Sequence, residues 1–174
     1  MKKGKITLLD FVIDKLTNSI ENVKTGDSFK TDISLLTRDE LKVVTKKKGW
    51  VFDWKSEIKE SEKEVYKLTI SGSSNIQGLI CITFRDHHVY MHLIESAPFN
   101  KGRDKAYLGV PANLVAYACR VSFQRGGGGY LSFNSKTKLI DHYEKTLGAV
   151  HFGGSLMVIT PDNALRLIDK YFND

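Results

Sequence analysis

The stretch VYMHLIESAPFNKGRDKAYLGVPANLVAYA, residues 89–118, predicts a strand, a long basic loop and a helix in succession. Up to Glu95 the side chains alternate as in a strand with both faces partly covered. Pro111 suits the first turn of a helix, and apolar residues then recur on one helical face. At the helix start, Gly109-Val110, the first backbone N–H groups have no partner within the helix and the helix dipole is positive. This combination favours the binding of a phosphate group.

Further strands surround this unit and set the fold class. The run YLSF, residues 130–133, follows the helix, so we expect it to lie parallel to the strand that ends at Glu95. Three β-rich runs, residues 65–71, 76–84 and 87–95, are separated by short turns and predict an antiparallel meander. The predicted class is α/β (α+β), with a mixed, mostly antiparallel central sheet and helices on both faces.

A second informative stretch is KLIDHYEKTLGAVHF, residues 138–152. Leu139, Tyr143 and Leu147 fall four apart, so they share one face of a predicted helix. Gly148 can adopt a left-handed conformation and end that helix. Tyr143 is either a half-buried packing residue or a phenol with a chemical role.

The ends of the chain carry weaker patterns. Asn134 or Ser135 is the expected N-cap of the tyrosine helix, and residues 154–172 predict a strand and then a closing helix. Residues 9–20 have an apolar stripe at helical spacing, and residues 22–32 are rich in turn formers.

A capping box precedes a second predicted N-terminal helix. Thr37 and Glu40 have the capping-box spacing, and the helix is expected to end near Gly49. The following GWVFDW alternates like a strand but does not favour one assignment. The first third of the chain is therefore predicted to be mainly helical.

Composition indicates one ordinary globular domain of 174 residues, with 41% hydrophobic and 26% charged residues. No apolar run approaches the ~20 residues of a membrane helix, and Asp10 and Asp14 interrupt the apolar N-terminal stretch, so no signal peptide is expected. Cys81 and Cys119 lie in apolar surroundings, which suits buried thiols in a reducing cytoplasm. Neither a membrane partner nor a metal site is expected.

The formal net charge of +6 does not by itself indicate a nucleic-acid partner, because Lys and Arg form no dominant stripe. Two local clusters stand out. One contains Lys101, Arg103 and Lys105, and the other contains Lys136 and Lys138. A solvated surface is the default explanation, and an anionic cofactor is the alternative.

These stretches together resemble the GNAT superfamily, the acetyl-CoA-dependent N-acetyltransferases, and in particular bacterial GNAT-like proteins. The resemblance covers roughly residues 65–160 by order of elements. Its most specific part is KTKLIDHYEKTLGA, which is close to the family's tyrosine helix. The phosphate loop departs from the family pattern Arg/Gln-x-x-Gly-x-Gly/Ala: Gly109 matches the first glycine, whereas Pro111 stands at the second and Ala106 at the Arg/Gln position.

The resemblance implies that an acetyl group moves from acetyl-CoA to a primary amine by direct attack. Leu93, Ile94 and Glu95 would pair with the pantetheine arm, and N–H groups near Ile94 and Glu95 would hold the carbonyl oxygen. Tyr143 would protonate the leaving thiolate, and Glu95 would remove the amine proton directly or through water. For Glu95, the catalytic role and a plain exposed carboxylate at the strand end have equal weight. His92 is either an alternative base or a histidine on the sheet surface.

Phosphate binding is implied for the basic loop and the helix start. The predicted residues are Lys101, Arg103, Lys105, Tyr107, Leu108, Gly109 and Val110. Asn134 is a predicted pantetheine contact or a helix cap, and Lys136 is a predicted phosphate contact or a surface lysine.

The resemblance also divides the predicted single GNAT-like domain. Residues 1–64 would hold N-terminal helices and the acceptor side, and residues 65–174 the meander and the acetyl-CoA-binding core. Trp50, Asp53 and Trp54 would hold a cationic amine or form a hydrophobic lid or core. The acceptor is a small-molecule or protein amine, a homodimer is compatible with the sequence, and a catalytically inactive CoA-binding or protein-interaction module is the alternative function.

Overall fold

The computed structural model describes residues 19–172, which form a nine-stranded sheet and four α-helices within that range. The strands are β1 Ser19–Asn22, β2 Ser28–Leu35, β3 Glu64–Ile70, β4 Ile76–Arg85, β5 His88–Ser96, β6 Tyr107–Leu108, β7 Leu131–Asn134, β8 Val150–His151 and β9 Leu156–Ile159. The helices are α1 Trp54–Lys59, α2 Val110–Gln124, α3 Ile140–Leu147 and α4 Pro161–Phe172. The sheet order is β6-β1-β2-β3-β4-β5-β7-β9-β8.

The predicted meander is confirmed. Strands β3, β4 and β5 pair antiparallel in sequence order, because their β-branched residues are separated by two short turns. The pairing of β4 with β5 shifts register between Cys81, which lies opposite Leu93, and Ile82, which lies opposite Met91. His92 is therefore the extra residue of a β-bulge in β5.

The predicted parallel pair is confirmed as well, and it is short. Strand β5 pairs with β7 at Val89 and Tyr90, opposite Leu131 and Ser132. Within residues 19–172, the rest of β5 from Met91 onward has no partner strand on that side. A gap therefore opens between β5 and β7 beyond Tyr90.

Two apolar cores cover the two faces of the sheet, so the predicted fold class is confirmed. The first core lies on what we call the α2 face, and it contains side chains of α2, α3 and α4, such as Leu114, Leu147 and Leu167. The second core lies on the opposite face, where Trp50 and Trp54 pack with neighbouring apolar residues. The two tryptophans are thus core residues, one of the two interpretations that the sequence allowed.

Gly78 lets α2 approach the sheet closely. A Cβ atom at this position would lie 2.6 Å from Cγ1 of Val110 and 3.1 Å from Cδ1 of Leu114. Both contacts are tighter than ordinary van der Waals packing, so the absence of a side chain sets the position of the α2 N-terminus.

We expect Gly78→Ala to lower the free energy of unfolding by about 1–3 kcal/mol, the usual cost of overpacking. Chemical denaturation measures this change. In the double variant Gly78→Ala/Val110→Ala the clashing methyl is gone, so its loss should be smaller than the sum of the two single losses. Additive losses would show that the close approach of α2 does not depend on Gly78.

The N-terminal third differs from the helical prediction. Residues 22–32 contribute to the hairpin of β1 and β2 instead of a run of turns, and Ile20, the last residue of the predicted apolar stripe, lies in β1. The predicted helix over residues 9–18 lies outside the described residues. Two short 3₁₀ turns, Asp39–Val43 and Lys46–Lys48, replace the predicted second helix.

Capping explains two further differences. Glu40 accepts the N–H of Thr37 at 2.8 Å, which is half of the predicted capping box, but the turn that follows is 3₁₀. Helix α3 begins at Ile140 after a 3₁₀ turn and has no side-chain cap, so the prediction that Asn134 or Ser135 caps it is wrong. The left-handed Gly148, with φ of 64°, does end α3 as predicted.

Candidate active site

The gap between β5 and β7 opens into a small cavity of about 160 Å³ on the α2 face. Its wall brings together three elements that are distant in the sequence. The lining residues include Met91, Ile94, Ser96, Pro111, Val115 and Tyr143. The structure therefore places the unpaired edge of β5, the first turn of α2 and the predicted acid on α3 around one space.

Tyr143 has the geometry and the protonation state of a proton donor. Its ring is half-buried and meets Phe133 edge-on, with ring centroids 5.2 Å apart. Burial raises the pKa of Tyr143 above its ordinary value, so the hydroxyl stays protonated at neutral pH. The hydrogen bonds among residues 19–172 do not engage this hydroxyl, which leaves it open to a ligand.

Glu95 is enclosed by donors on the opposite face of the sheet. The residue is 5% exposed. Oε2 accepts the N–H of Val51 at 2.7 Å and the ammonium of Lys101 at 2.7 Å. Oε1 accepts the N–H of Phe52 at 3.1 Å and the indole Nε1–H of Trp54 at 3.0 Å. Both carboxylate oxygens are therefore occupied.

This geometry does not favour the predicted role of Glu95 as the base. Burial raises the pKa of the carboxyl, but the hydrogen bonds from Lys101, Val51, Phe52 and Trp54 outweigh burial, and the net shift is downward. A carboxylate with a lowered pKa and four donors binds a proton weakly. Glu95 acts instead as an anchor that ties residues 51–54 to β5. The interpretation as an exposed carboxylate is wrong.

The predicted phosphate residues do not all converge. Lys101 is paired with Glu95, whereas Arg103 and Lys105 are exposed. The N–H of Tyr107 donates to Oδ1 of Asn100 at 3.1 Å, so it is not free for a phosphate.

The start of α2 keeps part of the predicted geometry. Gly109 precedes α2 in a left-handed conformation, with φ of 92°, and α2 has no side-chain cap. Pro111 lacks an N–H, so Val110 and Ala112 supply the donors of the first turn. Leu108 lies in β6, which pairs with β1.

The remaining residues that were predicted to contact acetyl-CoA have different surroundings. Ile94 lines the cavity, whereas Leu93 packs against the second core. Asn134 donates to the hydroxyl of Tyr90 at 2.7 Å and accepts from Ser155 at 2.9 Å, and Lys136 is exposed. Asn134 thus joins β5, β7 and the turn before β9.

Asn100 is a structural residue of the site that the sequence did not reveal. It is buried and donates to the carbonyl of Gln77 at 3.1 Å and to Oε1 of Gln77 at 3.0 Å. Together with its bond from Tyr107, these contacts hold the loop between β5 and α2 against β4. A polar residue between Phe99 and Lys101 gives no local signal of burial, so only the tertiary structure shows this role.

Two kinds of feature are absent from the part of the chain that the structure describes. Residues 19–172 contain no group of three or more His, Cys, Asp or Glu side chains that could hold a metal ion. In the same range, each helix is too short or too polar to cross a membrane.

Comparison with known proteins gives matches at the level of structure. No family model matches the sequence, and a search of curated protein sequences gives no match. Spermidine N-acetyltransferase from Vibrio cholerae is similar with a TM-score of 0.57 and 13% identity, over 76% of this chain and 94% of that chain. A putative GNAT-family acetyltransferase from Desulfovibrio desulfuricans is similar with a TM-score of 0.55 and 10% identity, over 75% of this chain and 99% of that chain.

A third similar structure is the ribosomal-protein-S18-alanine N-acetyltransferase from Escherichia coli. Its TM-score is 0.52 at 12% identity, over 74% of this chain and 90% of that chain. Likeness at such low identity concerns the fold alone. The protein is therefore GNAT-like and has the fold of the GNAT-family N-acetyltransferases.

Proposed function

We propose that the protein transfers an acetyl group from acetyl-CoA to a primary amine by direct attack. The observation that carries this proposal is the hydroxyl of Tyr143, which no hydrogen bond among residues 19–172 engages, at the gap beside the unpaired edge of β5. The GNAT fold supports acetyl transfer as the class of reaction. The acceptor is a small-molecule or protein amine.

The residues around the gap fit acetyl-CoA. The edge of β5 from Met91 to Ser96 offers backbone N–H and C=O groups to which an extended pantetheine arm can add like a strand. The uncapped start of α2 offers N–H groups and its dipole to the pyrophosphate, and the exposed Arg103 and Lys105 supply positive charge nearby in the chain. Bound there, acetyl-CoA supplies an activated acetyl thioester.

Backbone and side-chain groups of this chain then have separate tasks. N–H groups of β5 near Ile94 and Glu95 stabilise the negative charge on the carbonyl oxygen. Tyr143 donates its proton to the sulfur as the C–S bond breaks and negative charge develops there; a phenol, with an ordinary pKa of about 10, is protonated at neutral pH and can act as this donor. Glu95 keeps residues 51–54 against the strand and so positions the acceptor side of β5.

Binding of acetyl-CoA is the first test. We expect acetyl-CoA to raise the melting temperature and to release heat in calorimetry, because a ligand at 100 times its Kd stabilises the folded state by about 2.7 kcal/mol. The double variant Arg103→Glu/Lys105→Glu should bind more weakly, most clearly at low salt. The double variant Lys42→Glu/Lys47→Glu, which reverses two exposed lysines far along the chain from the basic loop, is the charge-matched control.

Two outcomes contradict parts of this proposal. A melting curve and a heat signal that saturating acetyl-CoA leaves unchanged would remove acetyl-CoA as the cosubstrate. Normal binding in the Arg103→Glu/Lys105→Glu variant would place the phosphates away from the basic loop.

A further inference from the structure

The bulge in β5 gives His92 a defined place at the mouth of the gap. His92 lies just beyond Tyr90, the last residue of β5 that pairs with β7. Thr83, Tyr90 and Leu93 surround it on the opposite face of the sheet, the face away from α2. Tyr143 approaches the same gap from the α2 face. The two side chains therefore lie on opposite faces of the sheet, with Tyr143 lining the cavity and His92 packed against Thr83 and Tyr90.

The ring of His92 is held by two neighbours. Its Nε2 lies 2.7 Å from Oγ1 of Thr83, and its ring packs edge-on against Tyr90 with centroids 4.8 Å apart. When Nε2–H donates to Thr83, Nδ1 carries the lone pair. Nδ1 has no hydrogen-bond partner among the described residues.

His92 is neutral at physiological pH. Burial is the main cause of its lowered pKa. The charges that face it from neighbouring elements act in both directions: Lys63 and Arg85 lower the pKa further, and Glu57 and Glu60 raise it in part. A neutral imidazole is the form that accepts a proton.

Other nearby groups are poorly suited to accept a proton. Glu95 is saturated by four donors. Glu57 pairs with Lys63 at 2.8 Å. Cys81 is buried and its pKa is raised to about 12, so it is a neutral thiol.

We propose that His92 is the general base of the acetyl transfer, with Nδ1 receiving the proton of the attacking amine. This proposal rests on the proposed function. The amine nitrogen forms its bond to the acetyl carbon and loses a proton to Nδ1. The C–S bond breaks with its electron pair on sulfur, and Tyr143 protonates that sulfur. Water then carries the proton from His92 to the phenolate, which restores both residues and leaves an amide and a thiol.

The variant His92→Gln tests the base role, because glutamine keeps an N–H for Thr83 and lacks the basic Nδ1 atom. In this variant, we expect kcat/KM for an amine acceptor to fall about 10²-fold, with unchanged acetyl-CoA affinity and melting temperature. The acid limb of the wild-type pH profile should disappear. His88→Gln is the matched control: His88 faces the same side of β5 and its Nε2 lies 2.9 Å from Oγ of Ser132.

A second measurement does not depend on an acceptor. NMR of the ring nitrogens should show His92 with a proton on Nε2 and none on Nδ1 at neutral pH. A proton on Nδ1 would overturn the proposal, as would wild-type turnover with an unchanged acid limb in His92→Gln. Either result would be compatible with acetyl-CoA binding and amide formation by the wild-type protein. If the proposed function itself is wrong, the wild-type protein will show neither.

Discussion

Replacing Tyr143 by phenylalanine is expected to lower the turnover of acetyl transfer about 10²-fold, the low end of general acid catalysis. The substitution removes one hydroxyl, and no described residue depends on that hydroxyl for a hydrogen bond. The ring contact with Phe133 remains, so the melting temperature should change little. Acetyl-CoA affinity should also change little, since a neutral hydrogen bond to sulfur is weak in the ground state. Steady-state kinetics and calorimetry measure these quantities separately.

Tyr130→Phe is the control for this variant, because Tyr130 is 48% exposed and lies outside the gap. Its turnover should equal that of the wild type. Where no amine acceptor has been found, slow hydrolysis of acetyl-CoA provides the readout. Equal turnover in Tyr143→Phe and Tyr130→Phe, with normal binding in both, would make Tyr143 a packing residue only.

Replacing Glu95 by alanine is expected to lower the free energy of unfolding by about 3 kcal/mol. The loss leaves the N–H groups of Val51 and Phe52 and the indole of Trp54 without their acceptor. The value is at the low end for a broken buried pair, because Lys101 regains water easily. Lys101→Ala removes the ion pair but leaves the other three donors to the buried carboxylate, so its cost should be smaller than that of Glu95→Ala. Equal losses in the two variants would show that the ion pair, and not the set of buried donors, holds residues 51–54.

Glu95 also makes stability depend on pH. Its folded-state pKa is lower than the unfolded value of about 4.3. The stabilisation is therefore complete above that unfolded value and is lost as the pH falls through the folded pKa. Denaturation curves below pH 5 should show a steeper loss of stability in the wild type than in Glu95→Ala. Parallel curves would mean that the carboxylate is not stabilised by folding.

The elements after residue 64 were predictable because each rests on a local pattern. Strands β3, β4 and β5 have β-branched runs between short turns, α2 has a proline at its start, and Gly148 ends α3. The parallel placement of β7 follows from the helix between the two strands. Tyr143 could be singled out because its helix also resembles that of a known family.

The partners of Glu95 and the ends of the sheet were not predictable, because they depend on contacts between distant segments. Two of the four donors to Glu95 are backbone N–H groups, which every residue except proline carries. Strands β1 and β6 are short and pair with each other, so neither has the length that reveals a strand in a sequence. The bulge at His92 likewise depends on the register with β4.

The pairing of β6 with β1 has a consequence for the order of folding. Strand β6 immediately precedes the start of α2, yet its partner lies near the beginning of the described chain. Contacts between segments so far apart form slowly, because closing a long loop costs conformational entropy before any hydrogen bond between the two segments can form. The meander of β3, β4 and β5 forms from neighbouring segments and can precede it. Refolding should therefore restore the central sheet before the proposed acetyl-CoA site, so that a nascent chain would complete this site late.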